Sequence, residues 1–300
     1  MLTVPTVFVL GAGASAPFDF PIGSELTKHV VSQLGEGGVC FNALRTHCNF
    51  SPDEIKDFRD ALFHSGKNSI DAFLEHRTEF LSIGKGATAS LLIGHENDGT
   101  LFRFDNNWLR YLYGRLNTSF EDFGQNHLSI ISFNYDRCVE HFLFTALKNS
   151  YQNKSDAECA SCLANIPIIH LHGRLGFLPW QEKEGRPFRN EVDAKNMKIS
   201  IENIKIIHED ISDGRDKDFE RAKQILREAQ RIYFIGFGYD PTNMHRLGIV
   251  DLEQNRAVGS AHGLVPREID SIRRASNGRI AFDRHFNDCL EFLRYHVAWD

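Results

Sequence analysis

The chain has 300 residues, of which 42% are hydrophobic and 25% are charged, and its formal net charge is -6. A chain of this size and composition buries a substantial core, as one large domain or as a domain with a sizeable insertion. The acidic balance and the lack of a dense Lys/Arg run argue against direct binding to nucleic acid or to an anionic membrane.

The cysteine content and the opening residues bear on the compartment. Six cysteines are too few and too scattered to form a disulfide framework in a chain of this length, so a reducing cytoplasm fits best. The apolar stretch from Val4 to Ala16 has no positively charged start and is broken by Gly11 and Gly13, which argues against a secretory signal. No run in the sequence approaches the roughly 18 apolar residues of a membrane-spanning helix. We expect a soluble, cytoplasmic protein.

The first predicted element is a short buried strand from Val7 to Leu10, followed by the turn Gly11-Ala12-Gly13-Ala14-Ser15. Apolar residues at helical spacing follow from Ser24 to Leu34. A strand that runs into a glycine turn and a helix can bring backbone N–H groups close to a pyrophosphate. Gly-x-Gly also makes ordinary tight turns, so alone it is a weak signal. The dehydrogenase fingerprint fits poorly, because its third glycine and its acidic residue are both missing.

Residues 35–125 have a different, mostly helical pattern. Ser51-Pro52-Asp53-Glu54 is a capping box with proline at the first helical position. Trp108 to Leu116 indicates a further helix. Another helix is indicated by the apolar residues Ile70, Phe73, Leu74, Phe80 and Leu81. We therefore predict a helical insertion module at residues 35–125, within a domain made of residues 1–34 and 126–300.

Strand-like runs return in the second half of the chain, in part alternating with helices such as Phe219 to Ala229. The runs are Leu128 to Phe133, Ile166 to Leu171, Ile204 to Ile207, Arg231 to Ile235 and Ile280 to Phe282. This alternation predicts the α/β class, with a Rossmann-like parallel sheet flanked by helices. The segment from Leu175 to Ile199, which is rich in charges and contains Pro and Gly, is predicted to be a long loop.

Polar residues follow two of the predicted strands. Asn134 can hold a ribose hydroxyl, a carboxamide or a water, and Asp136 can accept from a sugar hydroxyl, although the two can equally cap the next helix. His172 stands where a buried strand reaches solvent, and its imidazole suits a general base. His170 is a rival for this role, and a histidine here can also be a core residue. We prefer His172 because it stands at the strand end.

Four motifs occur in order along the chain: Gly-Ala-Gly-Ala-Ser at Gly11, Phe-Asn-Tyr-Asp at Phe133, Leu-His-Gly at Leu171 and Phe-Ile-Gly-Phe-Gly at Phe234. In this order they resemble the sirtuin superfamily, specifically the bacterial sirtuin-like domains associated with antiphage defence. The resemblance spans most of the chain outside the helical insertion and implies that NAD is bound as a substrate.

The resemblance also implies roles for individual residues. It makes Asn134 and Asp136 part of the nicotinamide ribose pocket and His172 the catalytic base. The residues that it assigns to the rest of the dinucleotide are Gly11, Ala12, Gly13 and Ser15 at the pyrophosphate, and Gly236, Gly238 and Asn243 at the adenosine half.

Two features depart from the protein-deacylating sirtuins. Those enzymes carry a zinc ribbon of two Cys-x-x-Cys pairs after the catalytic histidine, whereas this chain has no cysteine between His172 and Cys289. Cys159 and Cys162 precede the histidine and lack a second pair, so we expect no bound metal. The stretch after His172 also lacks the Val-x-Phe-Gly-Glu pattern, beside which the acyl-lysine peptide binds as an additional β-strand in the deacylases.

The expected activity is that of an NAD glycohydrolase, which releases nicotinamide and ADP-ribose or a cyclised form, as a regulated antiphage effector. Because NAD consumption needs restraint, the resemblance implies a homo-oligomer or a regulatory protein partner, with the helical insertion as the place of control. Three alternatives stay open. They are a zinc-free protein deacylase or ADP-ribosyltransferase, a non-catalytic sensor of NAD or ADP-ribose, and a structural α/β module whose motifs are only turns and caps.

Overall fold

The computed structural model describes residues 1–206, 217–254, 256–282 and 288–300. Six strands in these ranges form one sheet: β1 (Thr6–Leu10), β2 (Leu128–Ser132), β3 (Ile168–His170), β4 (Arg231–Ile235), β5 (Ala257–Gly259) and β6 (Ile280–Phe282). Their spatial order is β3-β2-β1-β4-β5-β6, and all neighbouring pairs are parallel. This is the order of the doubly wound Rossmann arrangement, which reverses between β1 and β4. The predicted α/β class with a Rossmann-like parallel sheet is confirmed.

Helices pack on both faces of the sheet. They are α1 (Gly23–Gln33), α2 (Val39–Cys48), α3 (Pro52–His64), α4 (Ile70–Leu74), α5 (Leu81–Ile93), α6 (Asp98–Leu101), α7 (Trp108–Leu116), α8 (Phe120–Phe123), α9 (Cys138–Ser150), α10 (Asp156–Leu163), α11 (Ala194–Asn203), α12 (Lys217–Glu228), α13 (Pro241–Arg246), α14 (Pro266–Ala275) and α15 (Cys289–His296). No helix in the described ranges is long and apolar enough to cross a lipid bilayer.

The alternation of side chains along β1 divides the core into two layers. Phe8 and Leu10 belong to the cluster that contains α1 to α11 and α15, whereas Val7 and Val9 belong to the cluster that contains α12, α13 and α14. Every residue of β1 is buried, as expected for a central parallel strand covered on both faces. Helices between residues 39 and 123 therefore share one packed core with the sheet.

Several predicted helices are confirmed in detail. The Ser51 capping box is present, because Ser51 N–H donates to Glu54 Oε2 over 2.8 Å and Glu54 N–H donates to Ser51 Oγ over 3.3 Å. α7 has the predicted bounds. The single helix predicted from Ile70 to Leu81 is wrong, since α4, a 3₁₀ turn and α5 occupy this region. The break between α4 and α5 lets the rings of Phe73 and Phe80 stack with centroids 6.0 Å apart.

Three predictions in the second half need correction. The segment from Leu175 to Ile199 is not a loop throughout, because α11 begins at Ala194, where the Asp193 side chain caps it by accepting from Asn196 N–H over 2.8 Å. The run from Ile204 to Ile207 is no strand as far as the structure describes it. Ile204 forms only an isolated antiparallel bridge with Gly173, and Ile207 lies outside the described residues. β5 was not predicted, because Ala257-Val258-Gly259 has a single large apolar residue, whereas the equally short β6 has Ile280 and Phe282.

Candidate functional site

Two glycine turns meet at the carboxyl end of the sheet, one after β1 and one after β4. Gly13 N–H donates to the carbonyl oxygen of Gly236 over 2.9 Å, and Gly11 N–H donates to that of Ile235 over 3.1 Å. A Cβ atom on Gly236, whose φ is +57°, would lie 2.1 Å from the nitrogen of Ala14. Glycine is therefore required here for the contact between the two turns, independently of any ligand.

The turn after β1 keeps few backbone donors for a ligand. N–H groups that donate to carbonyl oxygens within the protein are those of Gly11, Gly13, Ala14 and Ser15. Ala12 N–H has no backbone acceptor in the described part of the chain, and Ala12 lines a cavity. α1 does not follow directly, because two 3₁₀ turns separate it from the glycines. Its first residue, Gly23, lines the same cavity. The side chain of the N-cap residue Ile22 cannot accept a hydrogen bond, while Glu25 Oε2 accepts from Ile22 N–H over 3.3 Å.

Asn134 joins the loop after β2 to the turn after β1. Its Nδ2 donates to the carbonyl oxygen of Gly11 over 2.9 Å and to Ser15 Oγ over 3.1 Å. Its backbone N–H donates to Ser132 Oγ over 3.1 Å. These bonds fix the orientation of the amide, while Oδ1 makes no hydrogen bond with any described residue. Oδ1 is therefore the polar atom that Asn134 offers to a ligand.

Asp136 is buried beside Ser15. Ser15 Oγ donates to Oδ2 over 2.6 Å, and Cys138 N–H at the start of α9 donates to Oδ1 over 3.1 Å. Burial raises the pKa of Asp136, and the hydrogen bonds from Ser15 and Cys138 act in the opposite direction. Because protein groups engage both carboxylate oxygens, the geometry suits a bracing role that ties α9 to the turn after β1.

The two candidate histidines differ in their surroundings. His172 lines the cavity beside Asn134, and its ring packs edge-on against Phe133 with centroids 5.3 Å apart. His170 is not among the lining residues of that cavity, and both of its ring nitrogens are hydrogen-bonded inside the protein. His172 therefore faces the cavity and His170 is enclosed by protein groups, while the role of His172 as the base stays a prediction.

The cavity that holds most of the predicted site residues, called the main cavity below for that reason, has a volume of about 430 Å³ and lies over the ends of β1, β2 and β4, beside α1, α4 and α13. A smaller cavity of about 110 Å³ shares Ala12, Asp71 and Asn134 with it. Predicted site residues that line the main cavity are Gly11, Ala12, Asn134, His172, Gly238 and Asn243. Ser15 and Asp136 line the smaller one, while Gly13 and Gly236 form the contact between the two turns.

The far end of the main cavity is formed by the turn after β4 and by α13. A Cβ atom on Gly238 would meet nothing within 4 Å, so the missing side chain keeps the cavity open. Asn243 Oδ1 is buried and has no hydrogen-bond partner among the described residues. An unsatisfied buried acceptor costs about 1–3 kcal/mol, so this oxygen is a natural acceptor for a donor on a ligand.

Sequence reasoning missed Asp71, which α4 brings to both cavities. The Tyr135 hydroxyl donates to Asp71 Oδ1, and burial raises the pKa of Asp71. The signal that marks this helix is Ser69, whose Oγ accepts from Ala72 N–H over 3.1 Å as an N-cap. That signal places a helix start, but it contains nothing about the distant loop that Asp71 contacts.

No protein-family model and no curated protein matches the chain. What the site can do is therefore inferred from its own chemistry. The crevice offers N–H groups at Ala12 and at the start of α1, an amide oxygen at Asn134 and an imidazole at His172. Such a set suits an elongated ligand with an anionic centre and with hydroxyl groups at one end.

Proposed function

We propose that the protein is an NAD glycohydrolase, which converts NAD and water into nicotinamide, ADP-ribose and a proton. The observation that supports this most is that Asn134 and His172 line one cavity at the point where the strand order reverses. Sheets with this strand order bind dinucleotides at that point. The order of the four sequence motifs supports the same proposal independently.

In the proposed complex the pyrophosphate lies against the turn from Gly11 to Ser15. Ala12 N–H and the first N–H groups of α1 are the donors there, and the helix N-terminus favours the negative charge. The adenosine half extends toward Gly238 and Asn243. The nicotinamide ribose then lies at the end where Asn134 and His172 meet.

The reaction breaks the bond between ribose C1 and the pyridinium nitrogen, and nicotinamide leaves with the electron pair. Water forms the new bond at C1, and His172 accepts the proton that the water loses. Asn134 Oδ1 orients the water or the ribose hydroxyls, since its amide is already held by Gly11 and Ser15. An amide held in advance needs no reorganisation as charge develops on the sugar, which favours the transition state over the bound substrate.

Regulation belongs to the same proposal. The resemblance to sirtuin-like defence domains supports a cytoplasmic effector that depletes NAD during phage infection, held in check by a homo-oligomer or a regulatory protein partner. Helices between residues 39 and 123 supply Asp71 to the cavity, so a change in their packing would reach the site directly.

Nicotinamide release from NAD, followed by chromatography with the full chain over a range of protein concentrations, tests the proposal. In a second assay, the wild type and the variants named below are expressed in phage-infected bacteria, and the NAD content of the cells is measured. Asn134→Ala and His172→Ala should each lower turnover by about 10²-fold or more. Asn149→Ala and His64→Ala change exposed residues outside the cavity and serve as controls.

The alternatives give different outcomes. A sensor binds NAD and leaves it intact both in the purified protein and in infected cells. A deacylase or ADP-ribosyltransferase turns NAD over only when an acylated or acceptor protein is added. Either result, or equal turnover in wild type and both site variants, would reject a glycohydrolase.

A further inference from the structure

His170, the last residue of β3, lies beside the loop after β2, with 4% of its surface exposed. Its Nδ1 is 2.8 Å from the carbonyl oxygen of Asn134, and its Nε2 is 2.7 Å from Glu140 Oε1. A carbonyl oxygen can only accept a hydrogen bond, and the same holds for an ionised carboxylate. If Glu140 is ionised, both ring nitrogens of His170 must therefore donate.

The surroundings of Glu140 favour its ionised form. Burial raises the pKa of Glu140, whereas the charge and hydrogen bond of His170 and the charge of Arg174 lower it, to about 2. The His170 charge is itself part of that balance, so the independent support for an ionised carboxylate comes from Arg174, whose guanidinium stays charged at neutral pH. Arg174 Nη1 lies 3.5 Å from the same Oε1 atom. The carboxylate thus accepts from two sides and has no need of a proton.

We propose that His170 carries a hydrogen on both ring nitrogens and, as an imidazolium, holds the Asn134 peptide in position. Charged groups face it from three segments: Asp136 from the loop after β2, Glu140 from α9 and Arg174 from the segment after β3. His170 acts through Asn134 and does not line the main cavity, so it is a positioning residue. Its catalytic consequence rests on the proposed function, whereas its protonation does not.

The two ends of Asn134 are then fixed by different partners. The imidazolium holds its backbone carbonyl, while Gly11 and Ser15 hold its side-chain amide. Loss of the backbone bond leaves the peptide free to rotate and moves Oδ1 relative to the sugar. A misplacement of about 1 Å lowers a rate by on the order of 10²-fold.

Nitrogen NMR of the full chain labelled in histidine, near neutral pH, tests the protonation. Signals of His170 are assigned by their loss in His170→Gln. We expect both ring nitrogens to be protonated in wild type. Glu140→Gln removes the charge, and its amide can donate to Nε2, so His170 should keep the hydrogen on Nδ1 and lose the one on Nε2. The bond to the Asn134 carbonyl then comes from a neutral ring, so the carbonyl carbon of Asn134, followed in a sample labelled with carbon-13 in asparagine, should shift. Glu140→Asp keeps the charge and should preserve both signals, and Glu220→Gln, in an exposed ion pair with Lys223, is the control.

Turnover gives the second readout. His170→Leu removes the donor to the Asn134 carbonyl and should lower kcat for nicotinamide release by about tenfold to a hundredfold with little change in KM, whereas Glu140→Asp keeps the donor and should retain most of kcat. Thermal unfolding confirms that each variant is folded. A single ring proton on His170 in the wild type overturns the proposal, as does an unchanged kcat in a folded His170→Leu protein.

If the wild type cleaves no NAD, the carbonyl shift of Asn134 decides instead. A shift in Glu140→Gln supports the positioning role even though the proposed function has failed, and an unchanged shift rejects it. Failure of the glycohydrolase proposal and failure of this inference are thus distinguishable.

Discussion

The N–H group of Gly13 donates to the carbonyl oxygen of Gly236 across the point where the strand order reverses. The turn after β1 and the turn after β4 therefore support each other through backbone atoms, which have no rotamers to exchange. The floor of the crevice is formed before any ligand arrives. Preorganisation of this kind reduces the free energy that binding must spend on ordering loops.

Gly236→Ala should destabilise the fold strongly. Its Cβ atom would lie 2.1 Å from the Ala14 nitrogen, and the residue would need a positive φ. We expect the free energy of unfolding to fall by about 3 kcal/mol or more, measured by urea denaturation.

Gly238→Ala is the matched control for that change. Its Cβ atom meets nothing within 4 Å, so stability should change by less than about 0.5 kcal/mol. The added methyl group points to open space in a residue that lines the cavity, so NAD affinity measured by calorimetry should fall. Equal loss of stability in the two variants would contradict the role assigned to the turn contact.

The two glycine turns also show which features of the site could be predicted from the sequence and which could not. Period-2 and apolar-run patterns located β1, β2 and β4, and the carboxyl ends of parallel strands share one edge. That was enough to bring Asn134 and His172 to one crevice. The sequence could not reveal that the N–H groups of Gly11 and Gly13 are already used by the other turn, because that contact depends on a strand more than 200 residues away.

Asp71 is a site residue that sequence patterns could not identify, because its role depends on a long-range contact. The residue lies in a five-residue helix whose only sequence signal is its Ser69 cap, and its partner Tyr135 is 64 residues away. Local propensity carries no information about such a pair. Only the packing of α4 against the loop after β2 makes Asp71 a site residue.

Asp71→Asn should change how stability depends on pH. Burial raises the pKa of Asp71 in the folded state, so the stability linked to its protonated form is present below the unfolded pKa and is lost as pH rises through the folded pKa. The asparagine keeps an acceptor for the Tyr135 hydroxyl and cannot ionise. The stability of the variant relative to wild type should therefore grow as pH rises, as measured by thermal unfolding from about pH 3 to 8.

An exposed aspartate provides the comparison for this experiment. Asp53 lies in the first turn of α3, far from the cavity. Asp53→Asn should not reproduce the growing difference with pH. A constant difference between wild type and Asp71→Asn over the whole range would mean that Asp71 is not desolvated in the folded protein.

Glu96→Gln should be among the most destabilising single changes. Glu96 is fully buried and accepts from Arg137 over 2.7 Å and from Arg186 over 2.5 Å, and both of these arginines are fully buried. Removing this charge takes away the carboxylate that the two buried guanidinium groups share, which should cost about 3–5 kcal/mol in urea denaturation. Arg137 directly follows Asp136, so the site loop should also become more accessible to proteolysis.

The exposed ion pair between Glu79 and Arg77 is the control for burial. Both side chains are largely in solvent, so Glu79→Gln should cost no more than about 1 kcal/mol. A similar loss in Glu96→Gln and Glu79→Gln would show that the buried charges are compensated by other groups.

Ser15→Ala, compared with a second buried serine variant, tests whether turnover depends on the position of Asn134 or only on the stability of the fold. Ser15 Oγ donates to Asp136 and accepts from Asn134, so its loss removes a bond that lowers the pKa of Asp136 and one of the two bonds that hold the Asn134 amide, leaving the bond to Gly11. We expect about 1–2 kcal/mol of destabilisation and a fall in turnover of on the order of 10²-fold. Ser90 is also buried, and its hydroxyl contacts Ala87 in α5 and Cys40 in α2 and lines neither cavity, so Ser90→Ala should cost similar stability without a comparable loss of turnover. Because the two variants differ only in what the hydroxyl contacts, an equal loss of turnover in both would mean that general loosening, and not the position of Asn134, controls the reaction.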